Sequence, residues 1–342
     1  MDVRTFCTQS HVLIVAGKGG VGKTTMVAAI ARMAADAGLS VLVIELEGRS
    51  GVSDAFGHDD VLDYAGAVLS AAGADQYEEG ADPERDRAAT LAPGSVQARR
   101  ITPDDALIEY LADHGLRRIS KRLMSSGIID IVSGAIPGIR DILVLGKVKQ
   151  IEQAGLADLV LVDAPATGHT MTFLSSASGL VDAARGGPVR AQAADVVALL
   201  TDPARCQVAL VTLPEEMPVN EVVEAAYQLE DKVGITLGPI IVNGCYPPVP
   251  GLDVPAAEAA ELAGVTLDDD SRRALDAAGA FRRTREALQQ EQIERLAHEL
   301  PLPELRVPFA FTASIGPEEL QVLADALGAG IAALPDVEAA VP

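Results

Sequence analysis

The chain has 342 residues, 49% of them hydrophobic and 22% charged, a balance that excludes intrinsic disorder and allows one enlarged α/β domain or two smaller ones. A net charge of −22 argues against binding nucleic acid or an anionic membrane surface, because both need basic patches. With no tryptophan and 3% aromatics, the core must be aliphatic.

The first residues, Met1-Asp-Val-Arg-Thr-Phe-Cys7, lack the apolar core of a secretion signal, and no later run approaches the length of a membrane span. A cytoplasmic location without stable membrane insertion is expected. Cys7, Cys206 and Cys245 are far apart and form no Cys-x-x-Cys. Free buried thiols are therefore expected in place of a disulfide framework or a zinc or iron–sulfur site.

Residues 11–16 are a short apolar run that reads as a buried strand. Residues 25–37 read as a helix, with Val27, Ile30, Met33 and Ala34 at helical spacing. Between them, Gly17-Lys-Gly-Gly-Val-Gly-Lys-Thr-Thr25 contains the phosphate-binding pattern G-x-x-x-x-G-K-[ST] as Gly17, Gly22, Lys23 and Thr24. Gly17, Gly19, Gly20, Val21 and Gly22 can turn consecutive backbone N–H groups toward a phosphate lying at the helix N-terminus. Lys23 is expected to reach the β- and γ-phosphates, and Thr24 to hold Mg²⁺ through its hydroxyl, with Thr25 completing the cradle. Lys18 is one lysine more than the pattern requires; it can add positive charge where a phosphoryl-transfer transition state spreads negative charge.

Residues 40–46 read as the second strand, running into Glu45-Leu-Glu47-Gly-Arg-Ser50. A carboxylate at this strand exit can orient an attacking water. Glu45 and Glu47 both qualify by position and fall on the same side of an extended strand, and Glu47 lies nearer the exit. Residues 60–150 read as a mostly helical insertion. Within it, 73–100 is a polar segment expected to be a mobile surface stretch, Thr102-Pro-Asp-Asp105 resembles a helix start, and 123–148 is dense in aliphatics. The third strand, 158–163, delivers Asp163-Ala-Pro-Ala-Thr-Gly-His-Thr170. There Asp163 is placed to complete a Mg²⁺ shell through water and Gly168 to offer a backbone N–H to the γ-phosphate. His169 is read as a hydrogen-bonding neighbour, not a base. Strands follow at 208–213, 239–242 and 305–311, with helices at 219–232, 282–300 and 317–331. The alternation predicts an α/β fold, a doubly wound and mostly parallel sheet of the P-loop NTPase kind, with a helical subdomain inserted.

The loop with its extra Lys18 resembles the deviant Walker A of the SIMIBI class of ATPases. The run Asp163-Ala-Pro-Ala-Thr-Gly-His-Thr-Met-Thr-Phe-Leu174 closely resembles switch II of the ArsA group within that class, which contains arsenite-pump and tail-anchored-protein-targeting ATPases. Ser53-Asp-Ala-Phe56 is similar to the end of that group's switch I, and Ile136-Pro-Gly-Ile-Arg-Asp141 to an element of its helical subdomain. Ile241-Val-Asn243 resembles the strand end whose asparagine reads adenine. Val307-Pro308-Phe309 falls at the adenine-flanking loop. The resemblance spans about residues 11 to 330, leaving 73–100 uncovered.

That resemblance implies ATP and Mg²⁺ as cofactors. It also implies a dimer, with itself or a paralogous ATPase, in which Lys18 reaches the opposite subunit's nucleotide. ATP-driven closure would then build a groove for a hydrophobic client, for which 123–148 is the candidate. Two departures stand out. The group's switch I has an aspartate where Glu47 stands, and the next residues are Gly-Arg-Ser, so slow turnover or a regulatory role beside a paralogue is implied; this variant looks like an actinobacterial branch. No cysteine lies between Cys7 and Cys206, which disfavours an arsenite site or a zinc-bridged dimer of the group's kind. The alternative reading is a positioning switch of the MinD/ParA type. It lacks the basic tail or face such proteins use, since residues 332–342 contain no lysine or arginine.

Overall fold

In a computed structural model the chain is described over residues 1–46, 51–59, 62–70, 90–113, 138–184 and 186–335. The described strands are β1 (Val12–Gly17), β2 (Val41–Glu45), β3 (Ala67–Ser70), β4 (Val96–Arg100), β5 (Leu159–Ala166), β6 (Cys206–Thr212), β7 (Thr236–Leu237), β8 (Ile240–Cys245) and β9 (Glu304–Pro308). They form one nine-stranded sheet in the order β3-β4-β2-β5-β1-β6-β8-β9, with β7 beside β6. Every pairing is parallel except β3 with β4. Every residue of β1 and β2 is buried, as expected for strands covered on both faces, and this explains their near-continuous Val, Ile and Leu.

One face of the sheet carries α1 (Val3–Cys7), α2 (Lys23–Asp36), the short α3 (Gly51–Ala55) and, from the end of the chain, Leu320, Leu323, Leu327 and Ile331 of the closing helix. The other face carries α4 (Pro103–Asp113), α5 (Ile139–Ala154), α6 (Thr167–Ala183), α7 (Pro188–Leu200), α8 (Glu216–Val233) and the last turns of a long helix. The remaining helices are α9 (Ala256–Ala263), α10 (Asp269–Glu299), which is that long helix, and α11 (Pro317–Ala333), the closing one. No described helix is long and apolar enough to cross a membrane.

The doubly wound parallel sheet agrees with the expectation, and the six strands anticipated are present. Within residues 60–150, where a mostly helical insertion was expected, β3 and β4 extend the sheet edge. Only Val96 and Ala98 of β4 are apolar, and two arginines close it, so a five-residue edge strand carries almost no alternation signal. The strand also takes the end of the polar 73–100 stretch out of the surface category, whereas residues 71–89 lie outside the described ones. In α5 the aliphatics Ile142, Leu143, Val144, Leu145 and Val148 are core packing against the sheet, not groove lining. Residues 114–137 lie outside the described residues.

The long helix α10 begins well before 282. Asp268 caps it by accepting from the Ser271 N–H at 2.7 Å, and its first half faces solvent, so no apolar stripe announces it. Cys7 and Cys206 are buried free thiols and Cys245 is half-buried; burial pushes Cys7 up to about 12 and Cys245 up to about 11.

Candidate functional site

The parallel strands point their carboxyl ends at one edge of the sheet, and the candidate site is assembled there. Gly17 ends β1, and Lys18 to Val21 form the turn into α2. Gly22 is the N-cap of α2 at φ +89, a left-handed conformation that side chains avoid, and a Cβ there would run into the Asn243 side-chain amide. The Asn243 Nδ2 donates to the Val21 carbonyl at 2.9 Å. The end of β8 therefore presses against the loop, and no side chain fits between them.

Lys23, Thr24 and Thr25 make the first turn of α2. The Lys23 ammonium reaches back over the loop and donates to the Lys18 carbonyl at 3.1 Å. The Thr24 hydroxyl donates to Asp163 Oδ2 at 2.7 Å. Asp163 stands on β5 in register with Val15 of β1 and with Glu45 of β2. A helix N-terminus, an ammonium, a hydroxyl and a carboxylate thus converge within one turn of chain. This donor set fits a nucleoside triphosphate with a divalent cation: N–H groups and lysine for phosphate, paired hard oxygens for Mg²⁺. Among the described residues no group of three or more His, Cys, Asp and Glu could hold a metal ion.

Lys18 pairs within its own chain, its ammonium 2.6 Å from Glu221 Oε1 on α8. Both side chains are about a third exposed, so this pair contributes at most about 1 kcal/mol and can exchange partners readily. Gly168 lies in the exposed first turn of α6, with open space where a side chain would be. His169 faces a cleft of about 230 Å³ shared with Asp141, Leu46 and Phe173. Burial raises the Asp141 carboxyl, and the neighbouring His169 opposes the shift. Glu47 lies outside the described residues.

Pro308 ends β9 and Phe309 follows it, exposed beside the end of β8. Sequence reasoning missed the company Phe309 keeps. Its ring sits 5.5 Å from Tyr246 and 4.8 Å from Phe311, and the Arg282 guanidinium lies 4.1 Å over Tyr246. Buried Gln289 of α10 stiffens this corner, accepting from the Tyr246 N–H at 2.8 Å and donating to the Gly244 carbonyl at 3.0 Å. The signal was available, because three of only eleven aromatic residues (five Tyr, six Phe) fall just after Asn243 and Pro308.

Glu45, weighed beside Glu47 in the sequence, is 1% exposed. Its Oε1 accepts from the Val52 N–H at 3.2 Å. Burial pushes its carboxyl up to about 7; the Val52 N–H and Arg100 oppose this, while Asp163 and Asp54 add to it. Because the folded value lies above the ordinary 4.5, stability is fully present below about pH 4.5 and is lost as pH rises through about 7. The shift corresponds to a loss of about 3 kcal/mol. Glu45→Gln removes the titration and should gain on the wild type between pH 5 and 8; urea unfolding across that range measures it, and parallel curves would refute it.

The sequence model of the anion-transporting ATPase family matches residues 10–183, which hold the phosphate loop, β2 and the Asp163 segment. ATPase BagA of Mycobacterium tuberculosis is 33% identical over 270 residues, covering 76% of this chain and 72% of the relative. ATPase get3 of Schizosaccharomyces japonicus is 28% identical over 165 residues, 48% of this chain and 43% of the relative. ATPase GET3C of Arabidopsis thaliana is 28% identical over 172 residues, 49% and 41% respectively. The matched stretch and the loop built from it agree: the chain belongs to the anion-transporting ATPase family.

Proposed function

We propose that this ATPase works as a dimer, with itself or with a paralogue, and couples ATP binding and hydrolysis to the capture and release of a hydrophobic client segment. The observation that carries the nucleotide half of this reading is the Thr24–Asp163 contact at the mouth of α2, with the Lys23 ammonium folded over the same loop. Residues 17–25 cradle the phosphates through backbone N–H groups, and Lys23 neutralises the β- and γ-oxygens. Thr24 binds the ion directly and Asp163 through water. Mg²⁺ supplies charge neutralisation of the phosphates when bound. Glu47 orients the attacking water, and the Gly168 N–H reports the presence of the γ-phosphate to α6.

On the base side, Asn243 reads adenine, with Pro308 and Phe309 flanking the ring. Lys18 serves the opposite subunit's nucleotide, and the weakness of its pair with Glu221 supports that reading, since a solvated pair gives up its lysine at little cost. The net charge of −22 makes dimerisation salt-dependent. The client side rests on the ArsA-type family and on the aliphatic run in 123–137, since the continuation of that run in α5 is core.

A fluorescent apolar helical peptide of about 20 residues, the length that spans a bilayer, tests the client half. Retention with ATP and Mg²⁺, but not with ADP or in Lys23→Ala, is the expected result. Retention in no state, with nucleotide still bound, would replace client capture with a regulatory role beside a paralogue.

A further inference from the structure

Gly51 opens α3 and lies against Thr24. A Cβ built on it would fall 2.8 Å from Thr24 Cγ2 and 3.7 Å from Thr24 Cβ. Side chains do not approach that closely, so residue 51 has no room for one while α3 stays in place. Backbone conformation does not demand glycine here: Gly20 and Gly22 of the phosphate loop are left-handed, and Gly51 is not. What glycine supplies at 51 is close approach to the threonine. α3 is held there from two sides. Val52 and Ala55 are buried in the apolar cluster that contains Met26, Val27 and Ile30 of α2. From β2, the buried Glu45 carboxylate accepts from the Val52 N–H at 3.2 Å. A carboxylate in place of a fifth aliphatic is costly to desolvate, and this bond gives it a use.

Thr24 carries its methyl and hydroxyl on two of the three staggered positions around Cβ. Chirality fixes their relative placement, so whatever fixes the methyl fixes the hydroxyl. Gly51 touches the methyl, and the hydroxyl donates to Asp163 Oδ2 at 2.7 Å. A threonine in a helix divides between two χ1 rotamers. Contact with α3 favours the one observed.

We infer that Gly51 is a positioning residue for the divalent cation: by carrying no side chain it lets α3 bear on the Thr24 methyl, and so holds the Thr24 hydroxyl toward Asp163, with Glu45 as the anchor of α3. This rests on the reading of Thr24 and Asp163 as the residues that serve Mg²⁺. Groups that orient metal ligands from behind typically change metal affinity by about 10- to 100-fold when altered. The effect belongs to the metal-dependent part of nucleotide affinity, because the phosphate cradle itself is built from residues 17–23 and their backbone N–H groups.

The test measures equilibrium affinity of the full chain for a fluorescent ATP analogue with Mg²⁺ and with EDTA, beside a thermal melt. The ratio of the two affinities is the Mg²⁺ increment. Gly51→Ala should lower that increment by about 10-fold or more, with the EDTA affinity and the melt kept. Thr24→Ser removes Cγ2 and keeps the hydroxyl, a residue the phosphate-loop pattern accepts. In the Thr24→Ser background, adding Gly51→Ala should cost no further increment, because the methyl it would press on is gone. A wild-type increment in Gly51→Ala overturns the inference. So does an equal cost of alanine in both backgrounds, which would mean a general shift of α3 and not pressure on the methyl. If Gly51→Ala does not fold, Glu45→Leu carries the test, since it leaves residue 51 intact and removes the anchor. It should lower the increment, and Glu45→Gln, which keeps an acceptor for Val52, should restore it; a wild-type increment in Glu45→Leu overturns the inference. The reading beneath it fails separately: Asp163→Asn and Thr24→Ala would then both keep the full increment, whatever the Gly51 variants do.

Discussion

Replacing Lys23 with alanine is expected to weaken ATP binding by at least about 100-fold, which is about 2.8 kcal/mol. The size follows from chemistry: one ammonium serves two phosphate oxygens at a helix N-terminus, and a hydrogen bond to a charged group contributes about 1.5–3 kcal/mol. Folding should be untouched. The ammonium donates to the carbonyl of the neighbouring Lys18 at 3.1 Å, within the same turn, and alanine is the better helix former at the first position of α2. Titration with a fluorescent ATP analogue, beside a thermal melt, reads both quantities. Unchanged affinity with an unchanged melt would remove the nucleotide from this loop and leave residues 17–25 a glycine turn.

The part of the molecule that was legible beforehand is the part where one local pattern carries the whole message. β1, the loop and α2 announce themselves because a strand buried on both faces is uniformly apolar and a phosphate loop needs glycine at fixed offsets; Gly22 at φ +89 against Asn243 shows why. Asp163 was legible for the same reason, as a lone carboxylate directly after the apolar run Leu159–Val162. β4 was not, since an edge strand with two apolar residues and two arginines has no period to detect. The first half of α10 was not, since a solvent-facing helix buries no stripe. The contact of Asn243 with Val21 joins residues 222 positions apart, and the Arg282 platform on Tyr246 joins two elements that only the sheet order brings together. Glu45 could be noticed in the strand, but its partner Val52 could not, because the bond depends on how the chain returns after β2.

Asp163→Asn should separate metal from nucleotide. Asparagine is nearly isosteric, and its side-chain oxygen can still accept from the Thr24 hydroxyl, which lies 2.7 Å from Asp163 Oδ2. The β5 register with β1 and β2 should therefore persist, and so should the melt. The negative charge that complements a divalent cation beside the phosphates is lost. Hydrolysis should fall by about 100- to 1,000-fold, the range found when one preorganised electrostatic contact to a transition state is removed. ATP affinity without Mg²⁺ should rise slightly or stay the same, because one anion fewer faces the triphosphate. The diagnostic is the difference between affinities measured with Mg²⁺ and with EDTA: the wild type should gain from the metal and the variant should gain little. If the variant keeps the full Mg²⁺ increment, Asp163 only holds Thr24, and the ion's protein carboxylate is another residue. The paired outcomes for Lys23 and Asp163 then assign the two ends of the same cradle separately, one to phosphate and one to metal, which a rate measurement on either variant alone could not do.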